Sequence, residues 1–387
     1  MTQNESSAAH ETARKPQGEL RRGWTTGACA TAATKAALTA VLTGEFPDPV
    51  TITLPKGETP AFALAVESLG DGWARAGIVK DAGDDPDVTH GATIIAQVAL
   101  AKPGTGIVFR AGDGVGMVTL PGLPVAPGEP AINPVPRAMM TAEIEAQCAT
   151  HDIATDVEVT ISVPGGERIA EKTWNPRLGI VGGLSILGTT GVVHPFSCAA
   201  WIHSIHRGVD VARAAGLPHI LGATGSTSEA AAQAIHRLPE IALIDMGDFA
   251  GGLLKYLRQH PVPRLTIAGG FAKLTKLAQG ALDLHSARSQ VDMAFLADVA
   301  CELKLNQFAN ERIQDIRNRI LAANTALQAL EIAQQSGTDL ADAIAVRARE
   351  TALSALRGAP VDVEIILTDR QGAILAQAGF SGAGDGA

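Results

Sequence analysis

Aromatic side chains are scarce in this chain. They make up 4% of its 387 residues, and Tyr256 is the only tyrosine. So few rings offer no stacking platform for single-stranded nucleic acid. Positive charge is also in short supply: 31 Lys and Arg stand against 40 Asp and Glu, a formal net charge of -9. That balance argues against a general nucleic-acid or anionic-membrane binder, while leaving room for a local basic pocket for a small anion. The four cysteines, Cys29, Cys148, Cys198 and Cys301, form no CxxC pair. Neither a disulfide framework nor a zinc ribbon is indicated, and reduced thiols in a cytoplasmic protein fit best. Long apolar runs are missing too. The longest, Ala92 to Ala101, is broken by Gln97 and is too short to span a bilayer. The opening MTQNESSAAHETARKPQGE lacks the apolar core of a signal peptide, so residues 1–19 read as a disordered tail.

What the chain has in quantity is glycine and small apolar residues. Hydrophobic residues reach 46%, and the length suits about two domains. Asn175 to Val193, NPRLGIVGGLSILGTTGVV, holds five glycines in nineteen positions: Gly179, Gly182, Gly183, Gly188 and Gly191. Glycine weakens a strand unless the backbone bends or approaches something closely. The stretch therefore reads as backbone shaped to lie against a ligand.

Residues 20–195 read as a mixed α/β domain with glycine-rich loops. Thr25-Thr26-Gly27 opens a small-residue helix, where a threonine can cap the first N–H groups and Gly44 can end it. A strand is expected over Val50 to Leu54. Its sequence, VTITLPKGE (50–58), is echoed by VTISVPGGE (159–167) at six of nine positions. The echo reads either as an internal duplication or as two similar hairpins. Residues 92–100 suit a strand or a helix, and 103–137 are turn-rich.

The second half alternates strands and helices. A short strand and glycine turn are expected at 219–225 and strands at 241–248 and 264–270, with helices at 226–238, 251–260 and 271–284. That alternation implies a parallel, Rossmann-like sheet in a domain spanning 196–370. Residues 290–357 read as mostly helical. A hairpin turning at 370–372 closes the chain, with its end and a flexible tail in 371–387.

Several constellations could carry chemistry. Gly222-Ala-Thr-Gly225 follows a strand and opens a helix, and Asp245 lies at the end of the next strand. This is the mechanical core of a nucleotide site, although the full GxGxxG is absent. Asp81, Asp84, Asp85, Asp87 and His90 form the densest acidic cluster. They suit a hard-cation site, a general base or an ordinary Asx-capped turn. Arg137 and Arg177, each after a proline, with Lys172 and Arg21-Arg22, suit carboxylate clamps or surface ion pairs. His203 and His206 lie three apart on a helix, near His194 and Cys198, but no ligand set is complete. His285-Ser286 lacks both an acid partner and a G-x-S-x-G elbow.

Six segments together resemble one family. LRRGWTTGACATAATKAAL, KDAGDDPDVTHG, GDGVGMVTLPGL, GEPAINPVPR, ISVPGGERIAEKTWNPRLGIVGGLSILGTTGVV and AGGFAKLTKLAQGALDLHS occur in order. They look like the cobalt-precorrin-5B C1-methyltransferases of cobalamin biosynthesis, the CbiD type. The resemblance runs from about residue 20 to about 370. It implies S-adenosylmethionine-dependent methylation at C1 of cobalt-precorrin-5B, giving cobalt-precorrin-6A. It also implies a two-domain α/β architecture unlike the large precorrin methyltransferase fold. Two segments depart from the family pattern. AGGFAKL replaces Gly-His-Ile-Gly-Lys-Leu, and GATGS replaces Pro-Gly-Asn-x-Gly.

Under this resemblance Gly222, Thr224, Gly225 and Asp245 would bind the methyl donor. Thr25, Thr26, Arg137, Arg177, Gly182, Gly183 and Gly188 would bind the carboxylated macrocycle. Asp84, Asp85, His90, Thr189 and Thr190 are the catalytic candidates. No protein metal site is needed, because cobalt would arrive inside the substrate. The partner is then a small corrinoid, with no nucleic acid and no membrane. A homo-oligomer and transient contact with neighbouring pathway enzymes are compatible with it. Two competing readings are an NAD(P)-dependent oxidoreductase using 219–248 and a non-catalytic corrinoid carrier.

Overall fold

The computed structural model describes residues 19–304 and 309–381. The expected tail, apart from Glu19, and residues 382–387 lie outside the described residues. The chain divides between Ser197 and Cys198 into two compact units. Each mixes helices with sheets, so the architecture is α/β.

The first unit opens with β1 (Gly23–Trp24), α1 (Thr26–Thr43), β2 (Val50–Thr51) and β3 (Ala61–Phe62). Then come β4 (Val66–Gly70), β5 (Trp73–Val79), β6 (Thr93–Leu100), β7 (Ile107–Ala111) and β8 (Met117–Val118). It ends with α2 (Pro134–Thr150), β9 (Val157–Ser162), α3 (Gly166–Ala170), β10 (Ile180–Val181) and β11 (Val192–Val193). The main sheet has the order β4-β5-β6-β9-β7, antiparallel except between β9 and β7. Inward residues alternate along it, as in Val157, Val159 and Ile161, all fully buried. Helix α1 packs on β5, β6 and α2, and every residue from Thr26 to Thr34 is buried. Its alanines permit that close approach on all sides. The Thr25 hydroxyl accepts from the Ala28 N–H at 3.2 Å, and Gly44 ends the helix at φ +84°. Burial pushes the Cys29 thiol up to about 12, which suits an inert core thiol.

The second unit runs α4 (Cys198–Ala214), β12 (His219–Ala223), α5 (Ser226–His236), β13 (Leu243–Ile244) and α6 (Ala250–Leu257). Next are β14 (Arg264–Gly270), α7 (Phe271–Ala278), α8 (Met293–Glu302), α9 (Asn310–Leu321) and α10 (Ala326–Gln335). It closes with α11 (Leu340–Leu356), β15 (Asp362–Thr368) and β16 (Ile374–Ala378). The sheet order is β13-β12-β14-β15-β16, parallel except for β16. Side chains of β12 alternate between two cores. Ile220 joins the large cluster formed with α4, α6, α7 and α8–α11. Leu221 and Ala223 join a small cluster with Ala232 of α5. Helices therefore cover both faces, with α5 on the thinner side.

Some expectations need correction. The strand expected over 241–248 is only Leu243–Ile244, because residues 240–242 form a 3-10 turn. The strand at 50–54 is regular only over Val50–Thr51, although the Ile52 and Leu54 N–H groups go on to reach the Pro60 and Glu58 carbonyls at 3.2 and 2.8 Å. The two echoed segments are neither a duplication nor twin hairpins. One pairs in a two-stranded ribbon; the other lies between β6 and β7 in the main sheet and runs into a helix. Shared letters encode a strand and a turn, and the following residues decide the turn's direction. Residues 93–100 are a strand, not a helix.

A buried polar network crosses the second sheet on its α5 face. Glu364, 2% exposed, accepts from Thr266 Oγ1 at 2.6 Å and Gln377 Nε2 at 2.7 Å, and meets His236 Nε2 at 2.5 Å. His219 Nε2 lies 2.8 Å from Thr266 Oγ1. Because the Thr266 proton goes to Glu364, His219 Nε2 is the donor in that contact. Burial, then the neighbouring His236, lowers His219 to about 4 from an ordinary 6.5. Below about pH 6.5 the unfolded chain takes up a proton that the folded ring refuses. Stability should therefore fall as pH drops from about 6.5 to about 4. Urea denaturation across that range should show the loss in the wild type and a flatter profile in His219→Phe. The variant keeps the ring contacts and the Thr266–Glu364 bond, so an unchanged pH profile would refute the assignment.

Candidate functional site

The acidic loop of the first unit is a clip. Arg21 makes a two-pronged ion pair with Asp81, and its backbone N–H donates to Asp84 Oδ2 at 2.6 Å. Hydrogen bonding from Arg21, then from the Gly83 N–H, holds Asp81 at about 2. Asp85 Oδ1 accepts from the Phe196 N–H at 2.8 Å, and burial raises its pKa. His90 Nδ1 accepts from the Ala82 N–H at 3.1 Å. Lys80, 1% exposed, pairs with Asp87 at 2.7 Å, and Asp87 also accepts from the Thr89 N–H and hydroxyl. Burial opposes ionisation of Asp87, but the Lys80 ammonium and the hydrogen bonds from Thr89 together outweigh it and hold the carboxyl low. Thus the loop fastens the entry strand and the Phe196 segment of this unit. No group of carboxylates, histidines and cysteines among the described residues is arranged to hold a metal.

The glycine-rich stretch is knitted into the same unit. A β-carbon on Gly183 would sit 2.4 Å from the Gly114 carbonyl group. Gly188, at φ +135°, would place one 2.2 Å from the Thr25 hydroxyl oxygen. Thr26 Oγ1 accepts from the Leu187 N–H at 2.9 Å, and the Gly27 N–H donates to the Leu187 carbonyl at 2.9 Å. Asn175, 7% exposed, donates to the Gly183 carbonyl at 3.1 Å. Thr190 folds onto Val192 in a local turn, and Thr189 is exposed. Gly182 differs: at φ +85° it has open space where a side chain would be. Beside it Val181, paired with Met117, is 58% exposed, and Leu187 is 47% exposed.

The cations have other duties. Arg137 donates to the Ile132 and Pro130 carbonyls at 2.8 and 3.1 Å and pairs with Glu129 at 3.1 Å. It braces the loop before α2. Arg177 sits in the single turn 176–178. Arg21 and Arg22, with Glu19, Leu20, His194 and Pro195, line a cleft of about 550 Å³; Arg22 pairs with Glu58 at 3.1 Å. His206 stacks on Tyr256 with ring centres 4.0 Å apart, which gives that histidine a packing role.

In the second unit, β12 leads through α5 to its neighbour β13, and β13 leads through α6 to β14 on the other side of β12. The chain leaves β12 and β14 toward opposite faces, the switch in direction at which ligands of such sheets bind, at the carboxyl ends of the strands. Glycines there fall into two kinds. Gly222 and Gly269 are filled by their own chain: β-carbons there would lie 2.6 Å from Leu253 and 2.9 Å from Thr224. Gly225 has nothing within 4 Å, and Gly270 meets only the Thr368 carbonyl oxygen at 4.0 Å. No side chain caps α5, so its first N–H groups lack intrahelical partners. Asp245 directly follows β13, and its carbonyl accepts from the Trp201 indole at 2.9 Å.

Sequence reasoning passed over Lys80, Asn175, Asp248 and Lys273. Lys80 had a visible signal, since it directly precedes the acidic run. The other three show their partners only in three dimensions. Two outcomes follow from this geometry. Asp87→Ala strands a buried ammonium and should cost about 3–5 kcal/mol in chemical denaturation. Gly183→Val should lower fold stability by at least about 1–3 kcal/mol, because its neighbour is backbone. Ordinary stability with lost ligand binding would reverse the reading of Gly183.

The CbiD family profile matches residues 13–195, and the CbiD C-terminal domain profile matches residues 283–379. The cobalt-precorrin-5B C(1)-methyltransferase of Brucella anthropi is 71% identical over 361 residues, 93% of this chain and 96% of that protein. The enzyme of the same name from Brucella canis is 70% identical, covering 93% of this chain and 96% of its own. A crystal structure of the cobalamin biosynthesis protein cbiD from Archaeoglobus fulgidus is 28% identical. It covers 66% of this chain and 78% of that one, with a TM-score of 0.37. The chain belongs to the CbiD family.

Proposed function

We propose that this protein transfers a methyl group from S-adenosylmethionine to C1 of cobalt-precorrin-5B, giving cobalt-precorrin-6A. The observation that carries the reaction is 71% identity to a cobalt-precorrin-5B C(1)-methyltransferase along 93% of the chain. The donor binds at the carboxyl edge of the second sheet, in a Rossmann-like domain that begins near residue 196. What supports that placement is the switch in chain direction between β12 and β14, beside which Gly225 and Gly270 back open space. The uncapped start of α5 offers N–H groups to the donor's carboxylate or ribose. Asp245 accepts from the ribose hydroxyls.

The macrocycle meets exposed apolar groups of the first unit: the paired Met117 and Val181 with the open Gly182, and Leu187. Gly183 serves it indirectly by holding β10 beside β8, Thr25, Thr26 and Gly188 by setting the chain at Leu187, and Arg137 by bracing the loop before α2. Arg177 remains the clamp proposed for an acetate or propionate arm. Chemically, the sulfur–methyl bond breaks as the new carbon–methyl bond forms. Neutral S-adenosylhomocysteine leaves with the electron pair. The acceptor carbon is electron-rich, so alignment matters more than a strong base. Positioning of this kind can supply on the order of 7–11 kcal/mol. Asp84, Asp85, His90, Thr189 and Thr190 stay the catalytic candidates, for the proton that the ring gives up as it takes on the methyl cation. No helix among the described residues is long and apolar enough to cross a membrane, and a cytoplasmic location is part of this reading.

Labelled S-adenosylmethionine with cobalt-precorrin-5B should give a methylated corrinoid. A change in nicotinamide absorbance would favour an oxidoreductase, and binding without turnover a carrier. Asp245→Ala should weaken S-adenosylhomocysteine by about tenfold in calorimetry, the loss of a strong hydrogen bond. Gly225→Val should leave stability within about 0.5 kcal/mol yet block the donor, since its backbone is extended and its surroundings open.

A further inference from the structure

Lys273 stands in the first turn of α7. A cation there is opposed by the helix dipole, and no acidic residue occupies that turn to offset it. Such a local conflict calls for a compensating contact. The contact is double. The Lys273 ammonium donates to the Thr224 carbonyl at 3.0 Å and pairs with Asp248 Oδ1 at 2.9 Å. Asp248 Oδ1 is buried and receives no hydrogen bond; the Lys273 ammonium is its ion-pair partner, and the Lys276 charge also acts on it.

These two partners lie on different loops. Thr224 leads from β12 into α5, and Asp248 leads from β13 into α6. The loops also touch directly, because the Gly247 N–H donates to the Ala223 carbonyl at 3.0 Å. On its other side Thr224 donates its N–H to the Ala268 carbonyl at 2.9 Å. Lys273 thus adds the last tie in a ring joining the ends of β12, β13 and β14. With the carbonyls of Ala223 and Thr224 occupied, Gly225 and the start of α5 are held beside the switch in chain direction.

We propose that Lys273 is a positioning residue for methyl transfer. It locks the Thr224 and Asp248 loops into the shape that receives the donor. The proposal rests on the donor site described above. Pairing with Asp248 also matters electrostatically. It lets a cation hold the loop without leaving an uncompensated positive charge beside a sulfonium.

The test compares Lys273→Met, Lys273→Arg and Asp248→Asn with the wild type as full-length protein. In the absence of ligand, amides of residues 224–229 and 246–249 should exchange about tenfold faster in Lys273→Met. The S-adenosylhomocysteine Kd should rise by a similar factor, matching the loss of one charge-assisted contact. Corrinoid affinity should stay within about twofold, and Lys273→Arg should restore most of the loss. Asp248→Asn should loosen the same amides and serves if Lys273→Met does not fold. Wild-type exchange and donor affinity in the folded variants would overturn the proposal, as would an equal loss of corrinoid affinity. If wild-type protein bound S-adenosylhomocysteine without protecting residues 222–229, the donor-site reading would fall. Protection there, with unchanged exchange in Lys273→Met, would overturn the lock alone.

Discussion

Within each unit, chain segments approach each other so closely that a β-carbon would force a shift. Gly183 lies against Gly114, and Gly269 lies against Thr224. Much of what surrounds them depends on those approaches. In the first unit, the contact at Gly183 lets the Gly116 N–H reach the Leu184 carbonyl and the Leu184 N–H reach the Gly114 carbonyl. That pairing holds β10 beside β8 and presents Val181 and Gly182 to solvent. In the second unit, Gly269 gives room to the Thr224 side chain where the paired strands β12 and β14 end side by side.

Charge secures what close packing sets up. Lys80 is buried with Asp87, Arg21 is forked onto Asp81, and Lys273 bridges to Asp248. Each pair fastens a loop. A carboxylate held by a fixed partner stays ionised, as Asp81 does at about 2. Such a group is a poor proton carrier near neutrality but a firm anchor. This division of labour suits a methyl transfer, in which alignment of two reactants does most of the work.

Much of the fold was legible along the chain because local signals agreed with each other. Thr25 and Gly44 mark the ends of α1, and the strand–helix alternation after residue 218 marks the parallel sheet. The glycine-rich stretch was legible as backbone in close approach, but not as to what it approaches. Gly183 and Gly182 are adjacent letters of one kind; one faces backbone and the other faces space. The acidic loop showed the same limit. Five acidic or histidine side chains in a row of twelve residues look like a cation site until their partners, Arg21, Lys80 and the Phe196 N–H, are in place.

The sequence by itself determined family membership, the order of helices and strands, and the small-residue core helix. Those properties live in local periodicity and in segments long enough to be specific. Tertiary structure decided which glycines are packed and which are open, which charges are anchors, and that Lys273 ties three strand ends together. The physical reason is distance along the chain. Thr224 and Lys273 are 49 residues apart, and Arg21 and Asp81 are 60 apart. No periodic pattern reports such a pair, and only the folded sheet brings the atoms within hydrogen-bond reach.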